Sequence, residues 1–285
     1  MPVSTSKGPE HAGSRGSLPL GHRLPNEYRL RPDDIFIVSY PKSGTTLMQM
    51  MLHQLKTSGE MDFPHINSIS PWFELEIARG TPQNLEVPSP RVLKTHLPYR
   101  KVPRGARYLY LARDVRDVAW SAYHHSRLMM GVDPPLDLFM EHFFEGQTKF
   151  NSWFEHTESW WPHRNDDDVL FLRYKDIIAD LEGTARRVAA FCGLAIREVE
   201  MPRIVARCSL EFMKRHQEKF DPRPLFPGAP GAAHGSAQFI REGRIGRGRK
   251  VLNPEQKQLV ARKLADLERK LGAIAQDPNA DLLRP

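Results

Sequence analysis

Asp34-Ile35-Phe36-Ile37-Val38-Ser39-Tyr40-Pro41-Lys42-Ser43-Gly44-Thr45-Thr46 is the stretch of this chain that decides its fold. Its first half is a short apolar run with β-branched residues, which indicates a buried strand over residues 35–39. The run breaks at Pro41 and Gly44, and a helical pattern follows from Thr45 to Lys56. Backbone N–H groups and the positive end of the helix dipole would then face one point, which suits a phosphate group.

The polar residues of the same stretch support a phosphate-binding loop. Lys42 supplies a positive charge, and Ser43, Thr45 and Thr46 supply hydroxyl donors. In a Walker-type loop the lysine follows the last glycine and precedes Ser or Thr. Here Lys42 precedes Gly44. The pattern therefore predicts a nucleotide-phosphate loop of a different class.

Length and composition predict one large α/β domain over residues 25–285 of the 285-residue chain, with 40% apolar residues available for its core. Residues 1–24 are predicted to be a disordered leader, since Met1–Gly21 is rich in Ser, Gly, Pro and Lys and has no signal-peptide core. No segment approaches the roughly 20 apolar residues of a membrane helix. Cys192 and Cys208 lack metal-ligand spacing and suggest no disulfide framework. A cytoplasmic protein without a membrane partner is expected.

The net charge of +7 and the pI near 9.5 allow a nucleic acid, an anionic membrane or a polyanionic small molecule as partner. Much of the excess charge lies within residues 241–250, where arginines alternate with glycines; a solvated basic loop is an equally good interpretation of this run alone. The preceding segment Asp221–Ser236 is dense in Pro and Gly and is expected to be a surface loop or lid. We therefore predict a Pro/Gly-rich and then basic loop over residues 221–250.

Strands and helices alternate along the predicted domain. Buried strands are predicted at residues 35–39, 91–95, 107–112 and 169–173, and helices at 45–56, 115–128, 180–192 and from Pro254 onward. Asp114 is placed to begin the second helix, Gly193 to end the third and Asn253 to cap the last. This alternation predicts a central parallel β-sheet flanked by helices.

Ligands of an open parallel sheet bind beyond the carboxyl ends of its strands. The second strand ends in Lys94-Thr95-His96, and Arg113 follows the third, with Ser121 two turns into the next helix. Tyr174 follows the fourth. Three strands thus bring a cation to one edge of the sheet, and His96 joins them.

These motifs together resemble the cytosolic sulfotransferases. Residues 40–46 are similar to the family's 5′-phosphosulfate loop, 94–98 (KTHLP) to its catalytic strand end, and 111–121 to its 3′-phosphate segment. Residues 153–161, 172–176 and 208–214 continue the match, which covers about 33–248 and is highly specific in this order. The resemblance implies a single-domain, P-loop NTPase-like sulfotransferase fold.

The resemblance also implies the chemistry: transfer of a sulfuryl group from 3′-phosphoadenosine 5′-phosphosulfate (PAPS) to a hydroxyl group, leaving adenosine 3′,5′-bisphosphate (PAP). His96 matches the general base, Lys42 the group that stabilises the leaving oxygen, and Lys94 the group that contacts the sulfuryl oxygens. The residues that match donor contacts are Lys42, Ser43, Gly44, Thr45, Thr46, Arg113, Ser121, Tyr174, Ser209, Arg241 and Gly243; Ser121 is also grouped with the catalytic set.

This chemistry agrees with the residue types. A histidine with a pKa of about 6.5 can accept the acceptor proton near neutral pH. The donor has no pyrophosphate to bridge, so lysine and arginine can replace the metal ion of a kinase, and no metal is expected. We expect a small hydroxylated acceptor, hydrophobic or aromatic, in a pocket walled by loops from residues 61–90, 128–144 and 221–236. His124 and His125 are interpreted as structural.

Three residues depart from the family pattern. Leu47 and Leu210 stand where aromatic residues usually contact the adenine, and Glu242 replaces a common lysine. Three other classes of protein remain as alternatives: a bisphosphate sensor without catalysis, a P-loop kinase, and a polyanion-binding protein. The inverted Lys-Ser-Gly order speaks against a kinase, and the pairing of a base with the lysines speaks against a mere sensor; no nucleic-acid partner is expected. The acceptor's identity and the oligomeric state are left open.

Overall fold

The computed structural model describes residues 28–233, 238–272 and 277–284. The predicted leader, residues 1–24, lies outside the described residues, as do residues 234–236 at the end of the predicted lid.

A four-stranded parallel sheet forms the centre of the domain, in the order β2-β1-β3-β4. The strands are β1 (Ile35–Ser39), β2 (Val92–Thr95), β3 (Arg107–Ala112) and β4 (Val169–Arg173). All four predicted strands are confirmed, to within one residue. Val38 pairs with Thr95, and Ser39 pairs with Leu111, so the strands end side by side at one edge of the sheet.

Twelve α-helices surround the sheet within the described ranges. They are α1 (Thr45–Thr57), α2 (Ile66–Ile69), α3 (Phe73–Ala78), α4 (Val115–Met130), α5 (Leu136–Phe144), α6 (Trp153–Trp160), α7 (Tyr174–Ala179), α8 (Leu181–Cys192), α9 (Met201–Cys208), α10 (Leu210–Arg215), α11 (Arg247–Val251) and α12 (Pro254–Leu271). The predicted helix ends are confirmed where capping chemistry was recognised. Asp114 accepts a hydrogen bond at the start of α4, Gly193 ends α8 at φ 68°, and Asn253 forms a capping box with Gln256.

Two apolar clusters cover the two faces of the sheet. Because side chains alternate along a strand, Phe36 and Val38 of β1 enter one cluster, while Ile35 and Ile37 enter the other. The first cluster includes α12, and the second includes the methionines of α1. β1 is buried on both faces, as its uninterrupted apolar run predicts. The predicted α/β fold with a parallel sheet is confirmed.

Three segments that were expected to be loops contain helices. Residues 61–90 include α2 and α3, and 128–144 include α5, because Phe73 and Phe144 are among the apolar side chains that these segments bury in the core. The basic run also ends in a helix, α11, rather than continuing as a loop to residue 250. Within residues 221–233 the chain forms short 3₁₀ turns.

None of the helices in the described parts of the chain is long and apolar enough to cross a membrane.

Candidate functional site

The loop between β1 and α1 presents free backbone donors at the end of the sheet. Lys42 adopts φ 73° and Gly44 φ 108°, so the chain turns sharply before α1 begins. No side chain caps α1, which leaves the first N–H groups of the helix available to a ligand. The Ser39 hydroxyl lies 2.8 Å from that of Thr45, while the buried Ser43 Oγ has no hydrogen-bond partner among the described residues. These features fit a bound phosphate group.

Tyr174 closes the other side of this loop. A Cβ atom at Gly44 would lie 2.7 Å from the Tyr174 ring, so only glycine allows the ring to approach this closely. The guanidinium carbon of Arg113 lies 4.3 Å from the centre of the same ring, and Arg113 Nη1 donates to the carbonyl oxygen of Lys42 at 2.9 Å. Residues from the ends of β1, β3 and β4 therefore form one contact group, as their positions at the strand ends predicted.

Lys42 and Lys94 lie in a cleft at the carboxyl end of the sheet, and the pKa of each is lowered. Burial, and then the charges of Lys94, Arg113 and Arg241, lower the pKa of Lys42 to about 7. Burial lowers the pKa of Lys94 to about 8, and the nearby Glu74 carboxylate opposes this shift. The neighbouring positive charges destabilise the charged form of Lys42, and a bound anion would offset them.

His96 faces this cluster in a defined orientation. Its Nδ1 lies 2.7 Å from the carbonyl oxygen of Ser39, which can only accept, so Nδ1 carries the hydrogen and Nε2 carries the lone pair. No described residue forms a hydrogen bond with Nε2. Burial, and then the charges of Lys94 and Lys42, hold the pKa of His96 well below its usual value. The imidazole is therefore neutral at pH 7 and can accept a proton.

Glu74 of α3 is a charged residue of the cleft that no sequence motif indicated. Its Oε1 accepts the backbone N–H of His96 at 2.8 Å, while its buried Oε2 has no partner among the described residues. Burial raises the pKa of the Glu74 carboxyl group. This carboxylate fixes the backbone of the strand end that holds His96 and partly balances the charge of Lys94.

The predicted donor contacts on later segments have unequal support. Gly243, at φ 63°, lies against Leu210, because a Cβ at this glycine would be 3.2 Å from Leu210 Cδ2. Ser209 caps α10, since its hydroxyl accepts from Phe212 N and donates to Ala206 O. Among the described residues, neither Ser121 nor Thr46 forms a side-chain hydrogen bond with the cluster. Ser121 is assigned to the site from its position on α4.

Asp117 anchors the basic segment to α4, a role that no sequence motif indicated. Its buried carboxylate accepts the backbone N–H groups of Gly246 and Gly248, each at 2.8 Å. A Cβ at Gly248 would lie 2.0 Å from the carbonyl oxygen of Arg116, so α11 packs directly on the backbone of α4. This contact holds the segment that contains Arg241 beside the cleft.

Aromatic rings form the other walls of the cleft that contains Lys42 and Lys94. Lys94 Nζ lies 4.3 Å from the centre of the Trp72 ring, and Trp72 also contacts Phe150 and Phe226. Lys42 Nζ lies 4.4 Å from the centre of the Phe239 ring. Trp72 and Phe226 come from two of the predicted wall segments, whereas Phe150 and Phe239 lie outside them and carried no periodic signal.

The adjacent histidines of α4 have different surroundings. His124 packs edge-on against Trp120 with ring centres 4.3 Å apart, and it also contacts Tyr123. This agrees with the structural role predicted for it. His125 instead contacts Phe239 at 6.0 Å, so its ring is directed towards the cleft.

A cavity of about 200 Å³ lies among residues that follow β3 and β4 and residues of the basic segment. Arg113, Tyr174 and Arg249 are among its lining residues, whereas Lys42, Lys94 and His96 are not. Arg249 contacts Asp114 there, and Arg173 contacts Asp281. The cations from the strand ends and α11 that border this cavity are thus partly neutralised by neighbouring carboxylates. Over the ranges that the structure covers, no cluster of three or more His, Cys, Asp or Glu side chains is arranged to hold a metal ion.

Residues 32–270 match the family model of the sulfotransferase domain. Sulfotransferase 1C2 of Oryctolagus cuniculus is 34% identical over 66% of this chain and 68% of its own length. The amine sulfotransferase of the same species is 29% identical over 78% of this chain and 76% of its own. The chain therefore belongs to the sulfotransferase family, and the predicted enzyme class is confirmed.

Two solved structures support the same assignment. Retinol dehydratase in complex with androsterone and inactive cofactor PAP has a TM-score of 0.71 and 25% identity, over 84% of this chain and 81% of that one. A complex of retinol dehydratase with retinol and PAP has a TM-score of 0.68 and 27% identity, over 84% and 82% of the two chains. The predicted sulfotransferase fold is confirmed.

Proposed function

We propose that this sulfotransferase transfers the sulfuryl group of PAPS to the hydroxyl group of a small hydrophobic or aromatic acceptor. One observation carries the proposal: the neutral His96 imidazole, oriented by Ser39, faces the same cleft as Lys42 and Lys94. An oriented base beside concentrated positive charge is the arrangement that transfer between two oxygens requires.

The donor is inferred from two independent features. The two retinol dehydratase structures contain PAP, which is what PAPS becomes after it gives up its sulfuryl group. In this chain, Ser43 Oγ and Arg113 Nε are buried polar atoms without partners among the described residues, and both border the turn before α1. Buried polar groups normally find partners, so these atoms fit an anionic ligand. The proposed donor site is completed by Thr45, Thr46, Ser121, Tyr174, Ser209, Arg241 and Gly243.

His96 would act as the general base. As the acceptor oxygen attacks sulfur, its proton passes to Nε2 of His96, while the Nδ1–H bond to Ser39 stabilises the resulting imidazolium. The bond between sulfur and the bridging phosphate oxygen breaks at the same time. Negative charge that develops on this oxygen would be stabilised by Lys42, and Lys94 would contact the sulfuryl oxygens.

The acceptor class is inferred from the cleft walls. Trp72 and Phe150 lie beside His96 with ring centres 5.3 and 5.6 Å from the imidazole. Apolar rings around the base favour a flat, hydrophobic molecule whose hydroxyl group reaches Nε2. Androsterone and retinol, bound in the structures of retinol dehydratase, are both apolar alcohols. No nucleic-acid or membrane partner is required, and a cytoplasmic location stays a prediction.

Two measurements test the proposal. Calorimetry with PAP tests donor binding, and labelled PAPS with a panel of phenols tests transfer. His96→Ala should bind PAP with unchanged affinity and lose roughly 10²–10⁴-fold in turnover. The matched control is His142→Ala on α5, because this exposed side chain has no part in the cleft. Wild-type protein that neither binds PAP nor transfers sulfate to any phenol would refute the function, whereas full activity of His96→Ala would refute only the assignment of the base.

A further inference from the structure

His125 lies on the face of α4 that is directed towards the site. Asp117, Ser121 and His125 follow one another at intervals of four residues, so they share one face of the helix. Asp117 contacts Gly246 and Gly248 of the basic segment from this face. His125 therefore lies one turn beyond Ser121 along the cleft.

The surroundings of His125 place it near Lys42. Its ring centre lies 6.0 Å from that of Phe239, and Lys42 Nζ lies 4.4 Å from the centre of the same Phe239 ring. The charges of Lys42, Lys94 and Lys149 act on the His125 imidazole, and His96 is near enough to interact with it. Its ring is thus within electrostatic reach of all three proposed catalytic groups.

The Nδ1 atom of His125 is buried and has no hydrogen-bond partner among the described residues. Burial, and then the lysine charges, hold the pKa of His125 well below its ordinary value, so the ring is neutral and offers one donor and one acceptor. A buried polar atom without a partner costs free energy, which a ligand with a complementary group would recover.

We propose that His125 forms a hydrogen bond with a polar substituent of the acceptor, and that the enzyme selects aromatic acceptors with such a group in addition to the reacting hydroxyl. This inference rests on the proposed function and specifies its substrate class. His125 acts in binding and not as the base, because its Nδ1 has no hydrogen-bond partner among the described residues that would orient the ring as Ser39 orients His96.

The test compares acceptors that differ in one polar atom. Hydroxyacetophenone and isopropylphenol are similar in size, each has one reactive hydroxyl, and only the ketone has a second hydrogen-bonding group. Both are used in the 3- and 4-substituted forms, and kcat and KM are measured for wild type, His125→Phe and His125→Gln. The control is His142→Phe, because His142 is an exposed residue of α5.

We expect wild type to prefer the ketone in at least one substitution pattern. His125→Phe should reduce kcat/KM for that ketone by about tenfold, mainly through KM, and leave isopropylphenol unchanged. His125→Gln should restore part of the preference, and it replaces the phenylalanine variant if PAP binding shows that the latter is misfolded. An equal preference for the ketone in wild type and both variants would overturn the inference. Transfer to isopropylphenol in the same experiment would still support the proposed function. Wild-type protein that sulfates no phenol would overturn both.

Discussion

The carboxylate of Asp117 lies 2.8 Å from the backbone nitrogen of Gly248, although 131 residues separate the two in the chain. The same carboxylate binds the backbone nitrogen of Gly246, so both of its oxygens are used. This pair of hydrogen bonds fixes the basic segment over the start of α4. The position of Arg241 relative to Lys42 therefore depends on a carboxylate that contacts neither cation.

Asp117→Asn should weaken PAP binding by about tenfold or more, because hydrogen bonds to a charged group contribute about 1.5–3 kcal/mol and the amide can satisfy only one of the two N–H groups. Calorimetry measures the change in affinity, and KM for a phenol should change little. Asp180→Asn is the control. Asp180 also accepts a backbone N–H at the start of a helix, but this helix is α8 and not α4. An equal loss of affinity in both variants would show that Asp117 acts only through general stability.

The protonation of His96 gives a second prediction. A lowered pKa means that the ring stays neutral as the pH falls from 7.5 to 6.5 and takes up a proton only below that range. Nitrogen-15 NMR of the imidazoles should show Nδ1 protonated and Nε2 unprotonated across this interval in the free protein, with His96→Gln used to assign the signals. Protonation near 6.5, or the opposite tautomer, would contradict the role assigned to Ser39.

Proton uptake on donor binding is expected from Lys42. Its pKa of about 7 is depressed by burial and by neighbouring cations, so a bound anion should raise it, and binding should take up more protons at pH 8 than at pH 6. Calorimetry of PAP binding in buffers of different ionisation enthalpy measures this uptake; Lys94, with its pKa of about 8, contributes to it at the higher pH. Lys42→Arg, which keeps its charge, should reduce the uptake. An unchanged value in this variant would place the proton elsewhere.

Gly44→Ala should destabilise the protein and weaken PAP binding. A residue with a side chain is destabilised by roughly 1–2 kcal/mol in this left-handed backbone conformation. The new Cβ would also lie only 2.7 Å from the Tyr174 ring and collide with it. Urea unfolding of Gly80→Ala gives the backbone cost alone, since Gly80 has φ 69° and open space around it. Adding Tyr174→Ala should recover the steric part. If both glycine variants lose the same stability, the contact with Tyr174 is not tight.

Several features of the site could be predicted because their signals are local or follow from sheet geometry. The apolar run of β1 and the Pro-Lys-Ser-Gly break define the phosphate loop without further information. Lys94, His96 and Arg113 were predicted to meet because parallel strands end at one edge of the sheet, and their interactions with Lys42 and the β1 loop agree. The roles proposed for them remain predictions.

The sequence by itself determined the parallel sheet, the loop before α1 and the family of the enzyme, because each depends on residues that are neighbours in the chain or that end adjacent strands. Only the tertiary structure decided that Asp117 holds the basic segment, that Ser39 sets the tautomer of His96, and that His125 packs against Phe239 beside Lys42. These contacts depend on the packing of elements far apart in the chain. The hydrogen-bond partners of buried polar groups, which help to set their pKa values, leave no period or motif in the sequence.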